Sequence, residues 1–145
     1  MPKNTEVTEN MEHILNELLL HHPVSFVSSI DEEGFPNTKG MLPPRKKEGI
    51  QHFYFTTNTS SMRVKQFRAN PKASLYFCDP KQFKGMMLKG TMQVLEDVAS
   101  KEMIWLEGDT LYYPLGVTDP DYCVLHFTAD SGRYYHSFSS ESFII

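Results

Sequence analysis

Apolar positions along the chain follow a helical rhythm first and a strand rhythm afterwards. Met11, Ile14, Leu15, Leu18 and Leu19 recur at three- and four-residue intervals, which predicts an amphipathic helix that begins near Thr8 and is stopped by Pro23. Short runs rich in aromatic and β-branched residues follow: Val24 to Ile30, Phe35 to Leu42, Gln51 to Thr57 and Lys72 to Cys78. These read as strands. Asp31-Glu32-Glu33-Gly34 supplies a hairpin turn between the first two, and Lys46-Lys47-Glu48-Gly49 a polar connection into the third. In Phe83 to Leu95, residues Met86, Leu88, Met92 and Val94 share a face with Gly90, so a bend is expected at that glycine. A helix over Val98 to Glu107, an aromatic loop and strands over Tyr122 to Thr128 and Gly132 to Ser137 complete the pattern. Six or seven antiparallel strands with few helices define a mainly β protein with peripheral helices. A barrel that removes its own edges is the economical architecture.

Composition narrows the classes. A chain of 145 residues suits one domain, residues 1–145, with a single sizeable core. No segment approaches the roughly 20 continuous apolar residues of a membrane span, and a soluble protein is expected. Fourteen basic against 18 acidic residues give a formal charge of −4, which opposes general binding to nucleic acid or anionic lipid. Any anion site must be local. Met1 to Glu9 lacks the basic start and apolar middle of a signal peptide, so the cytoplasm is the default location. Cys78 and Cys123 sit in apolar runs outside any Cys-x-x-Cys pair and read as buried, inert thiols. The six histidines show no metal-ligand spacing, and His21 and His22 read as helix-end residues in contact with the dipole.

One segment carries candidate chemistry. Phe53-Tyr54-Phe55-Thr56-Thr57-Asn58 ends a strand in three consecutive hydrogen-bonding side chains, and Ser60-Ser61-Met62-Arg63-Val64-Lys65 opens a short helix that Asn70-Pro71 terminates. Ser61 is a good N-cap, and a first helical turn leaves backbone N–H groups that a phosphate can satisfy. Arg63 adds a bidentate, charge-assisted donor. Thr56, Thr57 and Lys65 offer further donors, although Lys65 lies two residues from Arg63 and points to another face. The same residues also fit a plain surface helix capped by Ser61, with Arg63, Lys65 and Arg68 facing water. Neither G-x-G-x-x-G nor G-x-x-x-x-G-K occurs, so Rossmann and P-loop readings lose their support.

The wording Thr57-x-x-x-Ser61-x-Arg63-Val64-x-Gln66-Phe67-x-x-Asn70-Pro71-x-Ala73 resembles the FMN-binding split-barrel family, which includes pyridoxamine 5′-phosphate oxidase and general stress proteins. The similarity extends to Phe35-Pro36-Asn37-Thr38-Lys39-Gly40-Met41, to Leu88-Lys89-Gly90-Thr91-Met92-Gln93-Val94, and to the stretch from Tyr112 to Tyr122, covering roughly Met11 to His136. The resemblance implies a six-stranded antiparallel split β-barrel, a two-fold homodimer, and one FMN in each of two clefts between subunits. It assigns Arg63 to the FMN phosphate, Ser61 to the place beside it, and Thr56 and Thr57 to strand-end positions facing the cofactor. It sets Lys39 where the family often has arginine, and Gly40 and Met41 beside the isoalloxazine ring.

Pyridoxamine 5′-phosphate oxidase itself has a C-terminal arginine-x-histidine region for which Arg133-Tyr134-Tyr135-His136 is no adequate substitute. The resemblance therefore implies the general stress protein branch, whose shorter members carry a tryptophan helix and an aromatic-Pro-x-Gly loop like Trp105 and Tyr112 to Gly116. Among the tyrosines, Tyr112 and Tyr113 are favoured to stack on a planar ligand, while Trp105 reads as core or dimer interface. No serine–histidine–aspartate order, paired carboxylates or activated cysteine declares a catalytic residue. The expected function is an FMN-dependent oxidoreductase passing electrons between a nicotinamide donor and a small-molecule acceptor. The alternatives are a non-catalytic flavin-binding stress protein and, third, a haem binder using His126 or His136.

Overall fold

The computed structural model describes residues 4–145; the first residues of the polar N-terminal segment lie outside them. Helix α1 spans Thr5–His21 and starts three residues before the expected Thr8, because the Asn4 side chain caps it by accepting the Glu6 and Val7 N–H groups at 3.1 and 3.3 Å. It buries Met11, Leu15 and Leu18, the stripe that its spacing announced. At its end His21 pairs with Glu17 at 3.8 Å and His22 with Asp79 at 3.3 Å.

Eight antiparallel strands follow: β1 (Ser25–Ile30), β2 (Pro36–Met41), β3 (Lys46–Glu48), β4 (His52–Asn58), β5 (Lys72–Asp79), β6 (Lys84–Leu95), β7 (Tyr122–His136) and β8 (Ser139–Ile144). Helix α2 (Met62–Ala69) lies between β4 and β5, and α3 (Val98–Met103) with a 3-10 turn at Asp109–Leu111 lies between β6 and β7. The sheet runs β2-β1-β5-β6-β7-β4-β3, with β8 also pairing β7. The class is the expected mainly β split barrel; the strand count is higher. The polar connection Lys46–Glu48 pairs with His52–Tyr54 as a short strand, and the serine-rich C-terminal stretch pairs along Ser131–His136.

The two strands expected at Tyr122–Thr128 and Gly132–Ser137 are one strand of 15 residues. Asp130-Ser131-Gly132 resembles a turn in sequence. In the fold the register passes from Ala129 opposite Gly90 to Ser131 opposite Lys89, and Asp130 is the extra residue of a bulge. This strand changes partners midway, pairing β4 through its first half and β8 through its second.

Alternation along β4 and β7 builds two cores. Phe53, Phe55, Leu125 and Phe127 join Val27, Leu75, Phe77 and Leu88 inside the barrel, closed by α1 and by Val64 and Phe67 of α2. On the opposite face Tyr122 and Val124 form a second core with Ile104 and Tyr113, flanked by Tyr54, Trp105 and Val117. Burial on both faces explains why Tyr122 to Leu125 is an unbroken apolar run.

Candidate functional site

The end of β4, the turn Thr59–Ser61 and the start of α2 bring Thr57 and Arg63 together. Ser61 adopts extended geometry and caps the helix by accepting the Val64 N–H at 3.4 Å. Arg63 then turns back toward the strand, and its Nη2 donates to Thr57 Oγ1 at 3.0 Å. Thr57 is buried, so the bond pins the guanidinium against the barrel end. Arg63 Nε is also buried, and it has no hydrogen-bond partner among the described residues. Burial pushes the Arg63 guanidinium below its ordinary value, the signature of a cation removed from water without full compensation.

The three basic residues of α2 have separate fates. Lys65 is exposed and pairs with Glu32 at 3.6 Å, and Arg68 is half-exposed and pairs with Glu96 at 2.7 Å. A plain surface helix accounts for those two. It does not account for Arg63. The structure therefore sets Lys65 apart from the other site residues, in the groove between α2 and the Asp31–Glu33 turn.

Gln66, one turn beyond Arg63, links the helix to the strands. It accepts the Ser29 hydroxyl at 2.5 Å and donates to Asn37 Oδ1 at 3.4 Å, while Asn37 Nδ2 donates to Asp31 Oδ2 at 2.9 Å. Strand alternation puts Lys39 and Met41 on the same side of β2 as Asn37; Lys39 is exposed and Met41 packs against the barrel core. Gly40 is exposed, and a Cβ there would meet nothing nearer than Val24 at 3.7 Å. Among the described residues nothing demands glycine at that position.

Thr56 faces the second core, where its side chain lies beside the Tyr113 phenol, a group raised chiefly by burial. Tyr113 is buried and Tyr112 is exposed; Trp105 packs on Tyr122 and Tyr113 with ring centroids 5.2 and 6.2 Å away. The loop carrying these aromatics is anchored by Asp109, which accepts Arg45 Nη2 at 2.8 Å and Nη1 at 2.9 Å and the Leu106 N–H at 2.9 Å. Of the histidines considered as haem ligands, His126 Nε2 bonds to His52 Nδ1 at 3.0 Å and its ring stacks on Tyr54, whereas His136 stacks on Tyr134 and its buried Nε2 has no hydrogen-bond partner among the described residues, the Glu141 carboxylate lying 3.4 Å away. Cys123 is buried with its thiol pushed up by burial, and Cys78 is half-buried; both are free.

Gln66, Asn37 and Asp121 stand within the stretches that carry the family resemblance, but the sequence assigns them no role. A buried glutamine inside the apolar stripe of Val64 and Phe67 is the signal that was available for the first. Asp121 is held by contacts across the fold and left no local mark.

The architecture defines a mainly β split barrel in which Arg63 is held at the junction of β4 and α2 and Gln66 ties α2 to Asn37 of β2. Residues 11–136 match the family described as pyridoxamine 5′-phosphate oxidase, and the chain belongs to that family. A solved structure of a protein from Clostridium acetobutylicum, related to general stress protein 26 of B. subtilis and of the pyridoxinephosphate oxidase family, is 42% identical with a TM-score of 0.85 and coverage of 94% of this chain and 96% of that one. General stress protein 26 of Bacillus anthracis is 15% identical, with a TM-score of 0.73 over 93% of this chain and 98% of that one. A pyridoxamine 5′-phosphate oxidase-related, FMN-binding protein of Nostoc punctiforme is 13% identical, with a TM-score of 0.62 over 92% of this chain and 95% of that one. The last two show the shared fold. Among curated proteins none matches the chain.

Proposed function

We propose that this single split-barrel domain binds FMN and works as a flavin-dependent oxidoreductase of small molecules, passing electrons between a nicotinamide donor and a small acceptor. The observation that carries the flavin reading is the buried, unpartnered Nε of Arg63, whose Nη2 is already fixed by Thr57 at the entry to α2. A phosphate satisfies such a donor, offsets its buried charge and meets the N–H groups of the first helical turn. Ser61 stands beside that position, and Thr56, Thr57, Lys39, Gly40 and Met41 are the residues we assign to the rest of the cofactor. The bare backbone at Gly40 suits close approach of a planar ring. When bound, FMN supplies hydride chemistry at its N5 atom; the chain supplies position, charge and shelter from water.

A homodimer belongs to the same reading. Grooves of about 500 and 580 Å3 elsewhere on the described surface are lined by residues other than Thr57, Ser61 and Arg63, so a flavin held at Arg63 by one subunit leaves much of its surface in need of a cover. A second reading, a non-catalytic flavin binder, is favoured by one feature: the three aspartates of the adjoining loop, Asp109, Asp119 and Asp121, are all committed to internal hydrogen bonds. The absorption spectrum of the purified protein tests the proposal. A yellow protein that releases FMN on denaturation supports it, and a colourless one that fails to take up added FMN overturns it. Turnover of NAD(P)H against a panel of acceptors separates the enzyme from the binder, and light scattering on the flavin-loaded protein tests the dimer.

A further inference from the structure

The β4–β7 ladder ends at Asn58 opposite Tyr122, so the turn that leads into α2 has no strand partner. A single residue holds it instead. The Asp121 carbonyl accepts the Thr59 N–H at 2.8 Å, its Oδ1 accepts the Ser60 N–H at 2.9 Å, and its Oδ2 accepts Asn58 Nδ2 at 2.9 Å. Within the turn, Asn58 O accepts the Ser61 N–H at 3.0 Å, which places the residue that caps α2. Asp121 is fixed in turn by Asp119, whose Oδ1 accepts the Asp121 N–H at 2.9 Å and whose Oδ2 accepts the Leu115 N–H at 3.1 Å. Lys101, buried in the second core, donates to the Asp119 carbonyl at 3.0 Å. One continuous series of bonds thus runs from Leu115 in the aromatic loop to the entry of the helix that carries Arg63.

A carboxylate close to an anion site is an electrostatic cost, since like charges repel. Its presence needs a compensating role, and the geometry supplies one: both oxygens are used, each by a donor of the turn. We infer that Asp121 is a positioning residue for phosphate recognition, fixing the β4–α2 turn and with it the seat of Arg63, and coupling that seat to the Tyr112–Gly116 loop. The inference rests on the flavin reading above. Its action is confined to the phosphate end, because Lys39, Gly40 and Met41 lie on β2, outside the series of bonds.

Titration of FMN and of riboflavin, which lacks the phosphate, tests it. Wild type binds FMN more tightly than riboflavin. Asp121→Ala loses about tenfold or more in FMN affinity, the effect of misplacing one charge-assisted contact, while riboflavin affinity stays unchanged. The double variant Asn58→Asp with Asp121→Asn exchanges donor and acceptor across the side-chain pair, keeps an oxygen for the Ser60 N–H, and recovers most of the FMN preference. Equal losses for both flavins, or no loss for FMN, overturn the positioning role. Where Asp121→Ala does not fold, Asp121→Ser, too short to reach both the Ser60 N–H and the Asn58 amide, provides the same comparison. Wild type that binds neither flavin removes the cofactor reading itself, a result seen before any substitution is made.

Discussion

Arg63 Nη2 and Thr57 Oγ1 meet at 3.0 Å across the turn between β4 and α2, and this one bond divides the basic residues of the helix into an inward guanidinium and two outward ion pairs. Arg63→Ala is expected to weaken FMN binding by about 1.5 to 3 kcal/mol, the range for hydrogen bonds to charged groups. Thr57→Val leaves the charge but frees its orientation, and the expected loss is about 1 kcal/mol. Lys65→Ala, which removes only an exposed pair with Glu32, leaves affinity unchanged. Calorimetric titration of the three variants checks the order.

The Arg45–Asp109 pair is a stability prediction. Both side chains are largely buried, at 16% and 5% exposure, and Arg45 also donates to the Ile104 carbonyl at 3.1 Å. Removing Asp109 strands a buried guanidinium, and Asp109→Ala is expected to cost about 3 to 5 kcal/mol in chemical denaturation. The sign of the pH effect follows from the carboxyl, which Arg45 holds below its ordinary value of 3.8. Its contribution is present above that value and is lost as pH falls through the lowered one. Asp109→Asn removes this acid-side loss.

Much of the fold was legible because its elements follow simple periods. The stripe Met11, Leu15, Leu18 marked α1, and alternation marked β4 with Phe53 and Phe55 inside. What stayed hidden depends on partners distant in sequence. A single extra residue at Asp130 is absorbed by a bulge opposite Gly90, so a turn-like tripeptide became mid-strand. Ser139–Ile144 has too little apolar pattern to announce a strand, and pairing to β7 alone makes it one. In the candidate site, the strand–turn–helix order was readable from local chemistry, whereas Arg63 was set apart from a plain surface helix only by the family resemblance. The direction in which Arg63 points was not readable, since it is set by Thr57 and by a turn held from Asp121.

His52 and His126 form a pair that cannot hold a full complement of protons. His52 Nδ1 and His126 Nε2 lie 3.0 Å apart, so one ring must accept and stay neutral. Tyr54 stacks on His126 at 4.4 Å, and Glu48 faces His52 across β3 and β4. Burial first, and then the His52 charge, push His126 below its ordinary 6.5, with Glu48 opposing. A depressed folded value means that the unfolded chain binds more protons in this window. Stability is therefore greatest above about pH 6.5 and falls as pH drops from there toward the folded value. Urea denaturation between pH 5 and 8 is expected to show this slope, and His126→Gln to flatten it.

Two glycines on separate strands of the sheet, Gly40 of β2 and Gly90 of β6, answer the same substitution in opposite ways. At Gly90 a Cβ would lie 1.9 Å from the Thr128 carbonyl oxygen and 2.9 Å from the Ala129 Cα, both backbone atoms of the strand it pairs with. Backbone cannot swing aside as a side chain can, and the bulge at Asp130 depends on this close approach. Gly90→Ala is expected at or above the upper end of the roughly 1 to 3 kcal/mol typical of overpacking. At Gly40 the nearest atoms to a Cβ are the Val24 and Phe26 side chains at 3.7 and 3.8 Å, ordinary contacts on an edge strand. Gly40→Ala is therefore expected to stay within about 0.5 kcal/mol of wild type in denaturation. If Gly40 borders the flavin ring, its added methyl weakens FMN and riboflavin binding alike, because it acts at the ring and not at the phosphate. A stable Gly40→Ala variant with unaltered affinity for both flavins would move the ring away from β2 while leaving Arg63 in place.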